Sequence, residues 1–204
     1  MRTRPFPAAA QAAASGSSAR RQMRLDVLPA AQRILGIDPG LHRTGYGCIE
    51  IASETNYGNP AFAFGRGEPR YLEAGLLKAK AGDPFPRRLE ELYRGLSEVL
   101  AEHRPDIMVV EDLFSTYAHP RSALLMAHAR GVLLLAAAHA EVPVHSFLPN
   151  EIKQVVAGNG HASKAAVQAA VRTRLRLAAA PDPPDIADAL AVALCFAARQ
   201  GEGG

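Results

Sequence analysis

Two short apolar segments, each closed by an acidic residue, constrain the fold of this chain more than any other feature. Residues 34–38 read ILGID, and residues 107–111 read IMVVE. Apolar runs of this length, bounded by turn residues or acids, are typical of strands buried on both faces of a sheet. The sequence therefore predicts a central sheet in which two buried strands end at carboxylates, Asp38 and Glu111.

The pattern around these strands predicts a mixed α/β domain. A Pro-Gly turn after residue 38 indicates a hairpin to a second strand over 45–51, and a third strand is expected within 61–77. Helical spacing predicts a helix over 86–103, and the helix over 121–140 is apolar nearly all round, so core or a second subunit must cover it. The remaining expectations are a strand over 142–147 and helices over 149–157, 163–176 and 184–199.

The ends of the chain differ from its middle. Residues 1–32 are rich in Ala, Arg and Ser without hydrophobic periodicity, which predicts a disordered extension before one domain over 33–199 and a flexible tail over 200–204. A transit peptide, or a true translation start at Met23, are both open readings of this extension. No apolar run reaches the roughly 18 residues that a membrane span needs, so the sequence excludes an integral membrane protein. Cys48 and Cys195 lie in apolar segments and are expected to be buried and reduced.

Charge is distributed unevenly along the chain. Residues 114–176 carry a net charge of +5, between flanking stretches of −4 (residues 34–113) and −3 (residues 177–204). A basic surface beside grouped carboxylates suits a metal-dependent enzyme that acts on a polyanion. Ordinary solvated helix faces are the alternative explanation of the same charges.

Four carboxylates carry the predicted chemistry. Asp185 and Asp188 are three residues apart at the start of a helix, so they share a face and can converge with Asp38 and Glu111. Two such charges about 4 Å apart repel by roughly 4 kcal/mol, which Mg²⁺ or Mn²⁺ would relieve. Two ions of this kind support phosphodiester hydrolysis. The alternative is that the acids only cap a helix and end solvated strands.

The same residues resemble the motifs of the RuvC Holliday-junction resolvases. The opening motif is matched by ILGIDPG (34–40) and TGYG (44–47), and the second motif by EDLF (111–114). Later motifs are matched by SAL (122–124), ARG (129–131), KQ (153–154), GNG (158–160), Lys164 with VQ (167–168), and DIADALA (185–191). The order and spacing of these motifs over residues 33 to 198 carry the resemblance.

The resemblance implies an RNase H-like fold with a mixed five-stranded sheet flanked by helices, and a homodimer that resolves four-way DNA junctions by paired symmetrical nicks. It implies two Mg²⁺ ions per active site, for which Mn²⁺ substitutes, on Asp38, Glu111, Asp185 and Asp188. Lys164 would neutralise charge near the scissile phosphate. The implied partners are junction DNA and the RuvA–RuvB branch-migration complex, in the cytoplasm.

The remaining candidate residues are DNA contacts. By resemblance, Lys153 would touch the DNA backbone and Phe114 would wedge between bases near the crossover. Arg121, in a loop after Phe114 that is longer than the family pattern, and His161, after the Gly-Asn-Gly turn, are further candidates. A core phenylalanine and ordinary surface charge are the alternative readings. The altered loop leaves the wedge geometry and the preferred cleavage sequence open.

Three other functions compete with this reading. Residues 38–44 partly resemble the first phosphate loop of actin-like phosphotransferases, but those enzymes need two lobes and a second phosphate motif that is not found here. An RNase H-like nuclease of another branch, acting on hybrids or on pre-rRNA, shares the carboxylates. A catalytically silent DNA-binding scaffold is the third, although all four acids are present.

Overall fold

The computed structural model describes residues 31–52, 67–113 and 120–202. Five strands form one sheet in the order β3-β2-β1-β4-β5, with β1–β2 and β2–β3 antiparallel and β1–β4 and β4–β5 parallel. The elements, in chain order, are β1 (Ala31–Asp38), β2 (Arg43–Ala52), β3 (Arg70–Lys78), α1 (Phe85–His103), β4 (Ile107–Glu111), α2 (Pro120–His139), β5 (Val144–Phe147), α3 (Pro149–Ala157), α4 (Lys164–Arg174) and α5 (Pro184–Glu202).

The sheet separates two apolar cores, because successive side chains of its central strands point to opposite faces. On β1, Ile34 packs into the core shared with α3, α4 and α5, whereas Leu35 and Ile37 pack into the core shared with α1 and α2. All three side chains are fully buried. This two-sided burial explains why the first strand has an uninterrupted apolar sequence rather than an alternating one.

The predicted mixed sheet flanked by helices is confirmed, and most element bounds agree to within about two residues. The largest difference is β3, which begins only at Arg70; residues 61–66 of the expected third-strand region lie outside the described residues. β1 begins at Ala31, so the prediction of an extension through residue 32 is wrong for residues 31 and 32, which pair with β2; residues 1–30 lie outside the described part. α5 continues to Glu202, so residues 200–202 of the expected flexible tail are helical. Cys48 and Cys195 are both buried, and they pack in different cores on opposite faces of the sheet.

Among the described residues, α2 is covered on one side only. Ala129, Leu133, Ala136 and Ala137 are buried against the sheet and α1, but Leu124 and Leu135 are 62% and 48% exposed. By length and composition alone, residues 121–139 of this helix are also apolar enough to cross a membrane, and 22% of that segment is buried. The expectation that no apolar run has this length is therefore wrong for this helix, whose apolar sequence is interrupted by His128, Arg130 and Gly131.

Candidate active site

Asp38 and Glu111 lie side by side because their strands are parallel neighbours. β1 and β4 are in register, with Ile37 opposite Val110, and each strand ends at the next residue. The carboxyl ends of parallel strands meet at one edge of a sheet, which is the usual place for a ligand site in such folds. This register places the ends of β1 and β4, and the acids that close them, at the same edge of the sheet.

α5 brings two further acids to the same edge by lying directly on the sheet. A Cβ atom on Gly36 of β1 would collide with the carbonyl oxygen of Ala189, and one on Gly45 of β2 would collide with that of Asp185. The glycines therefore let the helix backbone approach the strands closely. This contact fixes the first turns of α5, and with them Asp185 and Asp188, beside the end of β1.

The protonation of these acids shows that they form one electrostatic group. Burial, and next the charge of Glu111, raise the pKa of Asp38 to about 8, with Asp188 and Asp185 adding to the shift. Burial and the charge of Asp188 raise the pKa of Glu111 to about 7. The pKa of Asp188 is also raised, chiefly by burial. The protein therefore holds carboxylates where, without a cation, their ionised forms are disfavoured.

Two cationic side chains oppose this repulsion. Lys164, the first residue of α4, places its Nζ 3.5 Å from Oδ2 of Asp188 and lowers the pKa values of Asp38, Glu111 and Asp188. Arg43 places its Nη2 3.7 Å from Oδ2 of Asp185, a contact that the sequence analysis missed. No local sequence signal links residues 142 positions apart, so only the packing of α5 against β2 reveals this pair.

The basic segment before α4 is built around a tight turn. Gln154 donates from Nε2 to the carbonyl of Gly158 and accepts at Oε1 from the N–H of Gly160, both at 3.1 Å. Asn159 Oδ1 accepts from the N–H of His161 at 2.9 Å. His161 is exposed beside this turn. The polar residues of the resembling motif thus shape the loop that leads to the Ser163 cap and to Lys164.

Of the other residues predicted to contact DNA, Lys153 lies near the carboxylates, and Arg121 lies on α2. Lys153 on α3 is half-buried and lowers the pKa values of Glu111 and Asp188, so it lies within their electrostatic reach. Arg121 is exposed in the first turn of α2. Phe114 lies outside the described residues, as do residues 115–119 of the loop that follows it.

The turn after Asp38 is held by a buried hydroxyl. Thr44 is fully buried; its Oγ1 donates to the carbonyl of Gly40 at 2.8 Å and accepts from the N–H of Gly40 at 3.2 Å. A buried hydroxyl bonded in both senses stabilises a defined backbone path. This hairpin turn therefore fixes the exit of β1, and with it the position of Asp38.

The donor set fits a hard divalent cation. Asp38, Glu111, Asp185 and Asp188 offer only carboxylate oxygens, which Mg²⁺ and Mn²⁺ prefer. The pKa values of Asp38 and Glu111 are raised first by burial and then by the neighbouring carboxylates, and a bound cation would offset both effects. The four acids could therefore hold a divalent metal at this edge of the sheet.

A second group of possible metal ligands lies elsewhere. The ligand atoms of Glu73, Glu102 and His103 lie within 4.8 Å of one another, where β3 meets the end of α1. Contacts within the protein already engage these side chains. His103 Nε2 is 3.4 Å from Glu73 Oε2, and Tyr46 donates a hydrogen bond to Glu73 Oε1 at 3.0 Å. None of these residues belongs to the predicted site.

Comparison with known proteins agrees with this geometry. Residues 34–196 match the family model described as crossover junction endodeoxyribonuclease RuvC. The chain is 47% identical over 167 residues to the protein of that name from Rhodopirellula baltica, covering 81% of this chain and 85% of the relative. It is 46% identical over 163 residues to the one from Alkalilimnicola ehrlichii, covering 80% and 89%.

Solved structures give the same result for the fold. Thermus thermophilus RuvC in complex with a Holliday junction substrate is 34% identical, with a TM-score of 0.72, and the match covers 84% of this chain and 96% of that one. The yeast mitochondrial Holliday junction resolvase Ydc2 is 14% identical with a TM-score of 0.58, so it supports the fold alone. The sheet order and these likenesses confirm the predicted RNase H-like fold.

Proposed function

The chain belongs to the RuvC family of crossover junction endodeoxyribonucleases, and from this premise we propose that it resolves four-way DNA junctions by paired symmetrical nicks. The observation that carries the proposal is the convergence of Asp38, Glu111 and Asp188 in one electrostatic group at the ends of β1, β4 and α5. A relative of the same fold has been solved with a Holliday junction as its substrate. The protein would thus serve homologous recombination and DNA repair.

A divalent metal completes the active site in this proposal. Asp38, Glu111, Asp185 and Asp188 would hold two Mg²⁺ ions, with Mn²⁺ as a substitute, because their oxygens suit hard cations. When bound, such ions activate water for attack and stabilise the leaving oxygen in phosphodiester hydrolysis. Burial of Asp38 limits the access of bulk water to its carboxylate. Lys164 would supply a positive charge beside the carboxylates for the scissile phosphate.

DNA binding would use the basic side chains around this edge. Lys153 and Lys164 lie in electrostatic reach of the carboxylates, and His161 is exposed on the adjacent turn. Together with Arg121 they would contact phosphates, which position a nucleic acid without reading its sequence. Phe114 would stack between bases at the crossover, a contact worth about 1–3 kcal/mol per base.

Paired cleavage requires two active sites, and α2 supplies a surface on which two copies can meet. Leu124, Gly131 and Leu135 are exposed on one side of this helix, and apart from the helix's own backbone and the residues next to Gly131, no atom of the described residues lies within 4 Å of where a Gly131 Cβ would be. A twofold dimer buries the same surface of each copy. We therefore propose a homodimer with α2 in its interface, acting in the cytoplasm with the RuvA–RuvB branch-migration complex.

Within this proposal the chain has one catalytic domain, which β1 begins at Ala31 and α5 ends at Glu202. Residues 1–30, which carry a net charge of +4, would form a separate basic extension that adds nonspecific, salt-sensitive affinity for DNA. Deleting residues 1–30 should weaken binding to all DNA forms alike and should leave the cleavage pattern unchanged.

The test is cleavage of a labelled synthetic four-way junction with and without Mg²⁺, beside a linear duplex and an RNA–DNA hybrid. The proposal expects metal-dependent paired nicks in the junction only. Asp38→Asn should abolish cutting while junction binding survives, whereas Asp182→Asn, at an exposed position before α5, should cut normally. Cutting of the hybrid instead would assign the protein to another nuclease branch. Binding without cutting by the wild type would indicate a DNA-binding scaffold.

A further inference from the structure

Arg130 of α2 is a largely buried cation that lies behind the carboxylate site. Its side chain is only 18% exposed. Its Nη2 donates to Oγ of Ser146 on β5 at 2.7 Å and lies 3.2 Å from Oδ1 of Asp112. Its Nε is buried and makes no hydrogen bond within the described part of the chain. Such burial is costly for a guanidinium, so its position calls for a reason other than surface charge.

The contacts of Arg130 converge on the backbone that follows Glu111. Asp112 is the next residue; its N–H donates to the carbonyl of Phe147 at 2.8 Å, which extends the pairing of β4 with β5. Its Oδ1 accepts from the N–H of Leu113 at 2.9 Å. The carboxylate that Arg130 contacts thus also holds the chain as it leaves the sheet. One guanidinium therefore ties α2 to the ends of both β4 and β5.

We infer that Arg130 is a positioning residue that holds Glu111 in place for metal binding by anchoring Asp112 and Ser146. This inference rests on the proposed function, since it assigns Arg130 a part in the same metal site. Asp112 follows Glu111 directly in the chain, so a side chain that fixes Asp112 also fixes the backbone from which the Glu111 carboxylate projects. Groups behind metal ligands that fix their orientation commonly change metal affinity or activity by about 10–100-fold when removed.

Two features distinguish this positioning role from a direct contact of Arg130 with the metal site or with DNA. The Arg130 guanidinium contacts Asp112 and Ser146, whereas the Lys164 ammonium contacts Asp188 of the carboxylate site itself. A side chain so buried, with Nη2 already engaged, is also poorly placed to contact a DNA phosphate. Arg130 therefore acts through the backbone of β4 and not through its charge at the site.

The test measures Mn²⁺ binding by electron paramagnetic resonance on the full-length protein without DNA. Arg130→Met should weaken Mn²⁺ binding by about 10-fold. Asp112→Asn should do the same, and the double variant should add little, because coupled residues are not additive. Arg130→Lys, which can still reach Asp112, should restore most of the affinity. The matched control is Arg174→Met, whose Nη2 bonds the carbonyl of Val155 at the far end of α4 and which should bind Mn²⁺ normally.

Junction affinity without divalent metal and single-turnover cleavage complete the experiment. Arg130→Met should keep the junction Kd and should lose about 10-fold in cleavage rate at limiting metal. Unchanged Mn²⁺ binding, additive effects with Asp112→Asn, or a junction Kd that rises in parallel with the loss of cleavage would each overturn the inference. If Arg130→Met does not fold, Asp112→Asn and Ser146→Ala, which each remove one partner of the guanidinium, should weaken Mn²⁺ binding and give the same comparison. Mn²⁺ binding is measured without a junction, so the inference about Arg130 can fail while the proposed function stands. Equally, the protein can fail to cut junctions while Arg130 still supports Mn²⁺ binding.

Discussion

At the scale of single residues, Asp38 and Glu111 lower the free energy of unfolding of the metal-free protein at neutral pH. Their ordinary pKa values of 3.8 and 4.5 rise to about 8 and about 7, mainly because they are buried. The arrangement that destabilises the metal-free protein also groups several carboxylate oxygens that a cation could bind. Sites that bind or react are often destabilising when empty for this reason.

The raised pKa values of Asp38 and Glu111 predict that, in the presence of a chelator, the stability of the protein depends on pH in an unusual direction. Between pH 4 and 8 the folded protein binds more protons than the unfolded chain, so the free energy of unfolding falls as pH rises through this range. The stabilising protonated forms are fully present below about pH 4 and are lost by about pH 8. Asp38→Asn removes the largest part of this effect.

The measurement is urea unfolding of wild type and Asp38→Asn in EDTA at pH 5 and pH 8. At pH 8 the variant should be more stable by on the order of 2 kcal/mol. At pH 5 the difference should be clearly smaller, because only about one of the roughly four pH units between the unfolded and folded pKa values of Asp38 has then been crossed. Asp182→Asn, at an exposed position, is the control and should show no such gain. A variant equally or less stable at pH 8 would contradict the electrostatic account of the site.

At the scale of elements, the site depends on how closely α5 lies on the sheet. Gly36 and Gly47 are paired across β1 and β2, and both face α5. Gly36→Ala would force its new methyl group into the backbone of Ala189 and Ala193. Backbone cannot move aside as a flexible side chain can, so the helix or the strand must shift.

Gly36→Ala is therefore expected to lower the free energy of unfolding by about 1–3 kcal/mol and to weaken Mn²⁺ binding, because Asp185 and Asp188 move with α5. The control is Gly95→Ala in α1, where the nearest atom to the new methyl is Cδ2 of the Leu77 side chain at 3.3 Å. There the gain in helix propensity offsets the contact, and stability should change by less than about 1 kcal/mol. Denaturant unfolding and Mn²⁺ titration check both variants. Full Mn²⁺ affinity in Gly36→Ala would show that the glycine contact does not set the carboxylates.

The elements themselves were largely predictable, and their packing was not. The apolar runs ending at Asp38 and Glu111 indicated buried strands, and the spacing in α1 indicated its helix, because both signals are local. The glycines of β1 and β2 carry no local sign that a helix some 150 residues later rests on them. The contacts of Arg43 with Asp185 and of Arg130 with Asp112 are likewise set by tertiary packing. The roles assigned to Lys164, Lys153 and Phe114 remain predictions.

At the scale of the whole molecule, the two faces of the sheet have different tasks. The face covered by α3, α4 and α5 carries Asp185, Asp188 and the basic turn before Lys164. The face covered by α1 and α2 ends in a helix whose outer side is left apolar, with Leu124 and Leu135 exposed. The sequence predicted an apolar helix in need of a cover, but only the structure identifies which side of it the single chain leaves open.

Leu135→Glu tests whether that open side joins two copies. In a twofold interface the substitution introduces one buried charge from each copy, so dimerisation should be lost while the folded monomer tolerates the change at an exposed position. Sedimentation velocity should show a dimer for the wild type and a monomer for the variant, and junction cleavage should change from paired to isolated nicks. Tyr71→Glu, at an exposed position on β3 that lines a cavity against α5 on the other face of the sheet, should remain dimeric. A Leu135→Glu protein that stays dimeric and cuts in pairs would exclude this side of α2 from the interface.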